Sequence, residues 1–182
     1  AVHAEDEARL RARKHMVEGE DAHVGMHHHW RDDQTALLAT TTLLGLARKA
    51  RRPVHVLHIT TADEIELLAR SKDIATFELT PQHLSLAAPD CYERLGTRAQ
   101  MNPPIRGKEH QEALWCAVQS GLADVLGSDH APHTLEEKAR KYPNTPSGMP
   151  GVQTMLPLML DHVHAGRLTL ERLVDLLCSG PC

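Results

Sequence analysis

Three short segments place histidine or aspartate where an apolar run gives way to polar residues: Val2-His3-Ala4-Glu5-Asp6, Val56-Leu57-His58-Ile59-Thr60 and Gly127-Ser128-Asp129-His130-Ala131-Pro132-His133. Two imidazoles and a carboxylate converging on one point suit Zn2+, a borderline ion that takes nitrogen and oxygen donors. An open position on such an ion lowers the pKa of bound water towards about 7, which is hydrolytic chemistry. A carboxylate touching that water is placed to move its proton. Taken singly, each of these side chains is as readily explained as a solvated or capping residue, because polar residues are mostly exposed. Their joint placement is what marks them.

Such segments need elements to bring them together, and the pattern around them alternates. Thr35 to Ala50 carries leucines at helical spacing behind Asp32 and Asp33, which favour the positive end of a helix dipole. Pro53 ends it. Val54 to Ile59 is a β-branched run, and Ala62 to Ser71 returns to a period near 3.6. Ile74 to Thr80 reads as a second strand stopped by Pro81, Glu109 to Ser120 as a helix, and Ala123 to Ser128 as a third strand. A loop rich in Pro, Gly and Asn, Pro132 to Pro150, leads to helices from about Gly151 to Ala165 and from Thr169 to Cys178.

Strands separated by helices imply an α/β fold with a parallel sheet, doubly wound or closed into a barrel. A doubly wound nucleotide fold calls for a Gly-rich turn after its first strand, and neither GxGxxG nor GxxxxGK[ST] occurs. The barrel is therefore preferred, and in a (β/α)8 barrel functional residues sit at the C-terminal ends of strands, where His58 and Asp129 fall. Strand alternation puts Val54, Val56 and His58 on one face and His55 and Leu57 on the other. Only one of the two histidines then faces the barrel, and His58 is the better candidate.

Composition narrows the class further. The 182 residues are 41% apolar and 24% charged, the make-up of a globular chain. The longest apolar stretches fall short of the roughly 18 residues of a membrane span, and no signal pattern opens the sequence, so the expectation is a soluble cytoplasmic protein. A net charge of −4 with scattered Lys and Arg argues against a nucleic-acid surface. Four cysteines without a CxxC pair suit a reducing compartment. Fourteen histidines are many for this length, and histidine is a common metal ligand.

Longer motifs carry a family resemblance. Gln100-Met101-Asn102-Pro103-Pro104-Ile105-Arg106 is followed by Gly127-Ser128-Asp129-His130-Ala131-Pro132-His133-Thr134-Leu135-Glu136-Glu137-Lys138. Thr80-Pro81-Gln82-His83-Leu84 lies between strand and motif, and Gly148-Met149-Pro150-Gly151-Val152-Gln153-Thr154 with Leu156-Pro157-Leu158 comes after. Together they resemble the class I dihydroorotases of the amidohydrolase superfamily. The resemblance covers nearly the whole chain but only the second half of the family's barrel.

It implies that residues 1–182 are the C-terminal part of a metal-dependent amidohydrolase: a partial (β/α)8 TIM barrel running from the end of strand 5 through strand 8 and the following helices. The activity implied is zinc-dependent, reversible hydrolysis of (S)-dihydroorotate to N-carbamoyl-L-aspartate in de novo pyrimidine biosynthesis, with two zinc ions in a complete site. Carried over by motif, His3 and His58 are ligands of the more buried zinc. Asp129 is a ligand of the other and the general acid and base. Asn102, His133 and the backbone at Ser147 and Gly148 are substrate contacts. The family's first-strand His-x-His and the bridging Lys or Asp of its fourth strand have no counterpart here, so the expectation is a fragment with an incomplete metal centre, inactive alone. A homodimer or an association with aspartate transcarbamoylase are the macromolecular partners implied. Two rival readings are a hydantoinase or allantoinase, which lacks a substrate carboxylate, and a non-catalytic scaffold for aspartate transcarbamoylase.

The remaining histidines and charges have plainer readings. His27-His28-His29-Trp30-Arg31 contains a His-x-His, but no β-branched strand precedes it, and a surface cluster is expected. His83 reads either as a support for the site or as a buried, hydrogen-bonded ring, the second being preferred, His130 as structural, and His162 and His164 as solvated. Glu136, Glu137 and Lys138 read as a charged loop surface.

Overall fold

The computed structural model describes all of residues 1–182. After a short extended entry, helix α1 (Glu7–Arg13) begins where the Asp6 side chain accepts from the Arg9 amide. A single turn, α2 (His27–Trp30), precedes the long α3 (Asp33–Ala50), which Asp32 caps by accepting from the Thr35 amide. Then come β1 (Val54–Val56), α4 (Ala62–Ala69), β2 (Ala75–Leu79), α5 (Pro81–Ser85), α6 (Asp90–Leu95), α7 (Lys108–Gln119) and β3 (Val125–Leu126). Helices α8 (Leu135–Lys138), α9 (Met155–His164) and α10 (Leu170–Val174) follow, the last running into a π-helical turn over Asp175–Ser179.

The three strands lie in the order β1-β2-β3, all parallel, with Val56 opposite Phe77 and Leu79 opposite Leu126. Val2 adds a parallel bridge to Val56 on the outer edge of β1, so the His3 segment enters the sheet as a fourth parallel element. Parallel strands joined through helices agree with the partial (β/α)8 barrel expected from the sequence. Alternation along β2 sends Ala75, Phe77 and Leu79 into the core against the helices, where Leu44, Leu68, Leu114, Val118, Met159 and Leu173 meet them. The opposite face carries Thr76 and Glu78, with His55 of β1 bonded to both. No helix is long and apolar enough to cross a membrane.

Element order matches the sequence pattern, whereas the strands are shorter. The runs expected over Val54–Ile59 and Ala123–Ser128 pair only at Val54–Val56 and Val125–Leu126, because the chain turns out of the extended region at His58 (φ 37°) and Asp129 (φ 42°). Face alternation therefore stops before His58: it is His55 that shares the open sheet face with Thr76 and Glu78, and His58 reaches its place through the left-handed turn. The loop Pro132–Pro150 contains α8, nucleated by a capping box between Thr134 and Glu137.

Three side-chain expectations are corrected. His27-His28-His29 is not a surface cluster, since His27 is buried in α2 and His28 half-buried, with only His29 exposed. Lys138 is not on the surface but buried, its ammonium ringed by carbonyls. His162 is packed edge-on to Trp115 and bonds Ser85 Oγ at 3.0 Å, while His164 is exposed as expected.

Candidate functional site

His58 follows β1 and Asp129 follows β3, each at a strand C-terminal end and each with positive φ. Apart from Arg51, which closes α3, they are the only non-glycine residues in that region. Left-handed backbone at a bulky side chain is strained, and strain of this kind persists where surrounding structure enforces it, commonly at functional sites. Two of the three residues picked out by motif are thus also the two that the backbone singles out.

His3 completes the convergence. Its Nδ1 lies 2.9 Å from Nε2 of His58, the rings meeting nearly edge-on. On its other side, His3 Nε2 lies 3.0 Å from Glu5 Oε2. A carboxylate there accepts a hydrogen bond from Nε2–H, so Nδ1 presents its lone pair. This is how a metal-ligating histidine is commonly oriented. Glu5 is itself held by Arg31, whose Nε and Nη2 reach it at 3.0 and 2.6 Å. Burial alone would raise the Glu5 carboxyl, but the hydrogen bonds from His3 and Arg31 bring it down to about 2. Burial pulls His58 to about 4, helped by charge on His3, so its ring is neutral near pH 7. Asp129 moves the other way: burial raises its carboxyl and His3 opposes the rise.

The donor atoms suit zinc. Two ligands about 2.0–2.1 Å from a tetrahedral ion stand about 3.3 Å apart. The His3 Nδ1 and His58 Nε2 pair needs only a slight opening from 2.9 Å to admit one. No cluster of three or more His, Cys, Asp or Glu side chains lies at ligand spacing: the two nitrogens stand together, and Asp129 follows β3, on the far side of β2.

Between His58 and Asp129, the end of β2 supplies supports. Thr80 caps α5 and its hydroxyl pairs with His83 Nδ1 at 2.7 Å, while His83 Nε2 donates to the Pro103 carbonyl at 3.0 Å. His83 is therefore the buried, bonded ring expected, tying the Asn102 turn to the sheet. Its neighbour Gln82 donates to the Ser128 carbonyl, one residue before Asp129. Arg106 is buried and donates to Thr60 Oγ1 and to the Arg31 carbonyl, joining the turn after β1 to the segment that holds Glu5. His130 is structural, accepting at Nδ1 from the Gly151 and Val152 amides.

The expected substrate contacts form a second group. His133 Nε2 donates to the Ser147 carbonyl at 3.2 Å, Ser147 Oγ accepts from Gln100, and the Gly148 amide donates to the Gln100 carbonyl at 2.9 Å. Gly148 has φ 142°, and a Cβ there would come within 2.6 Å of the Ala131 carbonyl, so only glycine fits. Lys138 locks this group: Nζ donates to the carbonyls of Gln100, Pro146 and Gly148 at 2.9, 3.0 and 3.0 Å. Asn102, two residues from Gln100, is half-buried and bonds His27. Glu5, Arg31, Gln82 and Lys138 were not singled out by motif. Glu5 had a signal, since residues two apart in an extended segment share a face and His3-Ala4-Glu5 is such a segment.

With this geometry established, known proteins place the chain. No family model matches it. A dihydroorotase from Halobacterium salinarum is 36% identical over 180 residues, covering 99% of this chain and 41% of that protein. One from Methanosarcina mazei is 33% identical over 189 residues, with the same two coverages. Among solved structures, the L-hydantoinase (dihydropyrimidinase) from Arthrobacter aurescens superposes with a TM-score of 0.93 at 31% identity, covering 99% of this chain and 42% of that one. The chain thus spans about two fifths of the length of the relatives it matches.

Proposed function

We propose that the chain is a member of the dihydroorotase family and supplies the C-terminal part of a cyclic amide hydrolase whose substrate is dihydroorotate, a reading supported by its 36% identity to a dihydroorotase over 99% of its length. The observation that carries this reading is the meeting of His3 Nδ1 and His58 Nε2 at 2.9 Å, with His3 oriented by Glu5, across the sheet end from the strained Asp129. In the complete barrel His3 and His58 would hold one zinc ion and Asp129 would help hold a second. Zinc at such a site supplies Lewis-acid polarisation of an amide carbonyl and a water acidified towards neutrality.

The chain's own residues do the rest. Asp129 takes a proton from the attacking water and returns it to the departing ring nitrogen. A carboxyl raised by burial suits the first half of that role, because it takes a proton more readily than one at the usual value and holds it until the ring nitrogen departs. Asn102, His133 and the Ser147–Gly148 segment contact the substrate. Hydrolysis of this ring yields N-carbamoyl-aspartate, a step of pyrimidine synthesis.

Hydantoinase activity is the second reading, favoured by the TM-score of 0.93 to an L-hydantoinase. The two substrates differ in a carboxylate. Parallel assays of the complete protein on dihydroorotate and hydantoin separate them: turnover of dihydroorotate is expected, and turnover of hydantoin alone would replace the first reading by the second. A non-catalytic scaffold has no chemical need for His3, His58 and Asp129 together.

A further inference from the structure

His27 is buried to 1% exposure, yet the chemistry above makes no use of it. Its ring has three partners: Nε2 lies 3.0 Å from the Met101 carbonyl oxygen and 3.0 Å from Asn102 Oδ1, and Nδ1 lies 3.2 Å from the Tyr142 hydroxyl. Burial keeps this ring neutral, pulling it down to about 4, so one nitrogen carries a proton and the other does not. A backbone carbonyl only accepts. The proton therefore sits on Nε2, and Nδ1 accepts from Tyr142, whose hydroxyl burial keeps protonated.

That assignment decides a further one. Asn102 can turn either end of its amide towards Nε2, but an N–H group facing Nε2–H would set two donors against each other. Its oxygen must face His27, which leaves the amide NH2 group pointing elsewhere on a half-buried side chain. The chain Tyr142 O–H to His27 Nδ1, His27 Nε2–H to Asn102 Oδ1, thereby selects which face of Asn102 a ligand meets.

We infer that His27 and Tyr142 are positioning residues that present the NH2 group of Asn102 to the substrate, so that this part of the site recognises an oxygen acceptor, a carboxylate or a ring carbonyl, and rejects a ring N–H. This rests on the reading of Asn102 as a substrate contact. Without the His27 donor the amide is free to flip, and half of its orientations meet the substrate oxygen with another oxygen.

The test is steady-state kinetics of the complete protein, with dihydrouracil, which has the ring but no carboxylate, as a competing ligand. His27→Phe is expected to raise KM for dihydroorotate by about tenfold with kcat little changed, the scale of one lost hydrogen bond to a charged group. His27→Gln, which keeps an N–H donor, restores most of the loss. Tyr142→Phe keeps the buried ring and removes only the hydroxyl, giving a smaller rise in the same direction and covering the case in which His27→Phe misfolds. Weakened dihydroorotate with unchanged dihydrouracil inhibition assigns the acceptor as the carboxylate, and weakening of both assigns it as a ring carbonyl; either supports the inference. An unchanged KM in folded His27→Phe and Tyr142→Phe, beside a raised one in Asn102→Ala, would overturn the positioning role. An unchanged KM in Asn102→Ala would overturn the inference together with the contact it rests on. Absence of dihydroorotate turnover in the unmutated protein would instead count against the proposed function.

Discussion

Glu5 sets the chemistry of His3 through a single contact. By accepting at 3.0 Å from Nε2 it leaves the Nδ1 lone pair facing His58, and Arg31 fixes the carboxylate in turn. Glu5→Gln keeps the shape but removes the charge, and an amide can present its NH2 group to the same nitrogen. Zinc affinity, read by competition with a chelator, is expected to fall by about 10–100-fold, as for other supports of a ligating histidine. An unchanged affinity would remove Glu5 from the site. A second consequence concerns pH. His27 and His83 are buried and neutral, pulled from 6.5 to about 4 and about 3, so between those values and 6.5 the unfolded chain binds more protons than the folded one. Their contribution is complete above about pH 6.5 and is lost as pH falls, at up to roughly 1.4 kcal/mol per pH unit for each ring. Denaturant midpoints at pH 7 and pH 5 check this, with the lower midpoint expected at pH 5. At this scale the sequence showed His3, His58 and Asp129, because each stands at the end of an apolar run. It did not show Arg31 or Gln82, whose partners, Glu5 and the Ser128 carbonyl, are brought to them only by the fold.

The elements place these residues by ending early. β1 and β3 stop at Val56 and Leu126, and the left-handed turns at His58 and Asp129 aim side chains that continued strands would have pointed elsewhere. Periodicity shows the helices and strands well, since apolar spacing follows from which face is buried. It cannot show a strand that breaks before its apolar run does, which is why alternation carried on to His58 preferred it over His55 as the residue facing the barrel. Helix α8 is the clearest case of an element hidden from composition: its four residues lie in a Pro- and Gly-rich loop, and its last residue, Lys138, reads as surface charge. Burial pulls the Lys138 ammonium down to about 8, and three carbonyls hold its N–H groups. Lys138→Met fills similar space but orphans those oxygens. A stability loss of about 1–3 kcal/mol is expected, with faster proteolysis between residues 139 and 150. An unchanged cleavage rate would show that Lys138 does not order that segment.

At the scale of the whole molecule, one face of the sheet is covered by helices and the other carries His55, Thr76 and Glu78. In a closed barrel that second face is the interior, and the relatives are more than twice as long as this chain. A (β/α)8 barrel takes about 250 residues. The barrel class was legible because helices and strands alternate and the motif order is distinctive. With the two nitrogens assigned to one ion and the carboxylate to another, neither ion has the three protein ligands of a catalytic site, so the 182 residues alone are expected to show no dihydroorotase activity and the complete protein is expected to show it. The most direct measurement is zinc content and dihydroorotate turnover of the complete protein beside its Asp129→Ala variant. A zinc-containing active protein, with turnover in the variant lower by about a thousandfold or more, is the predicted result; unchanged turnover in Asp129→Ala would contradict the role given to this carboxylate and with it the proposed reaction.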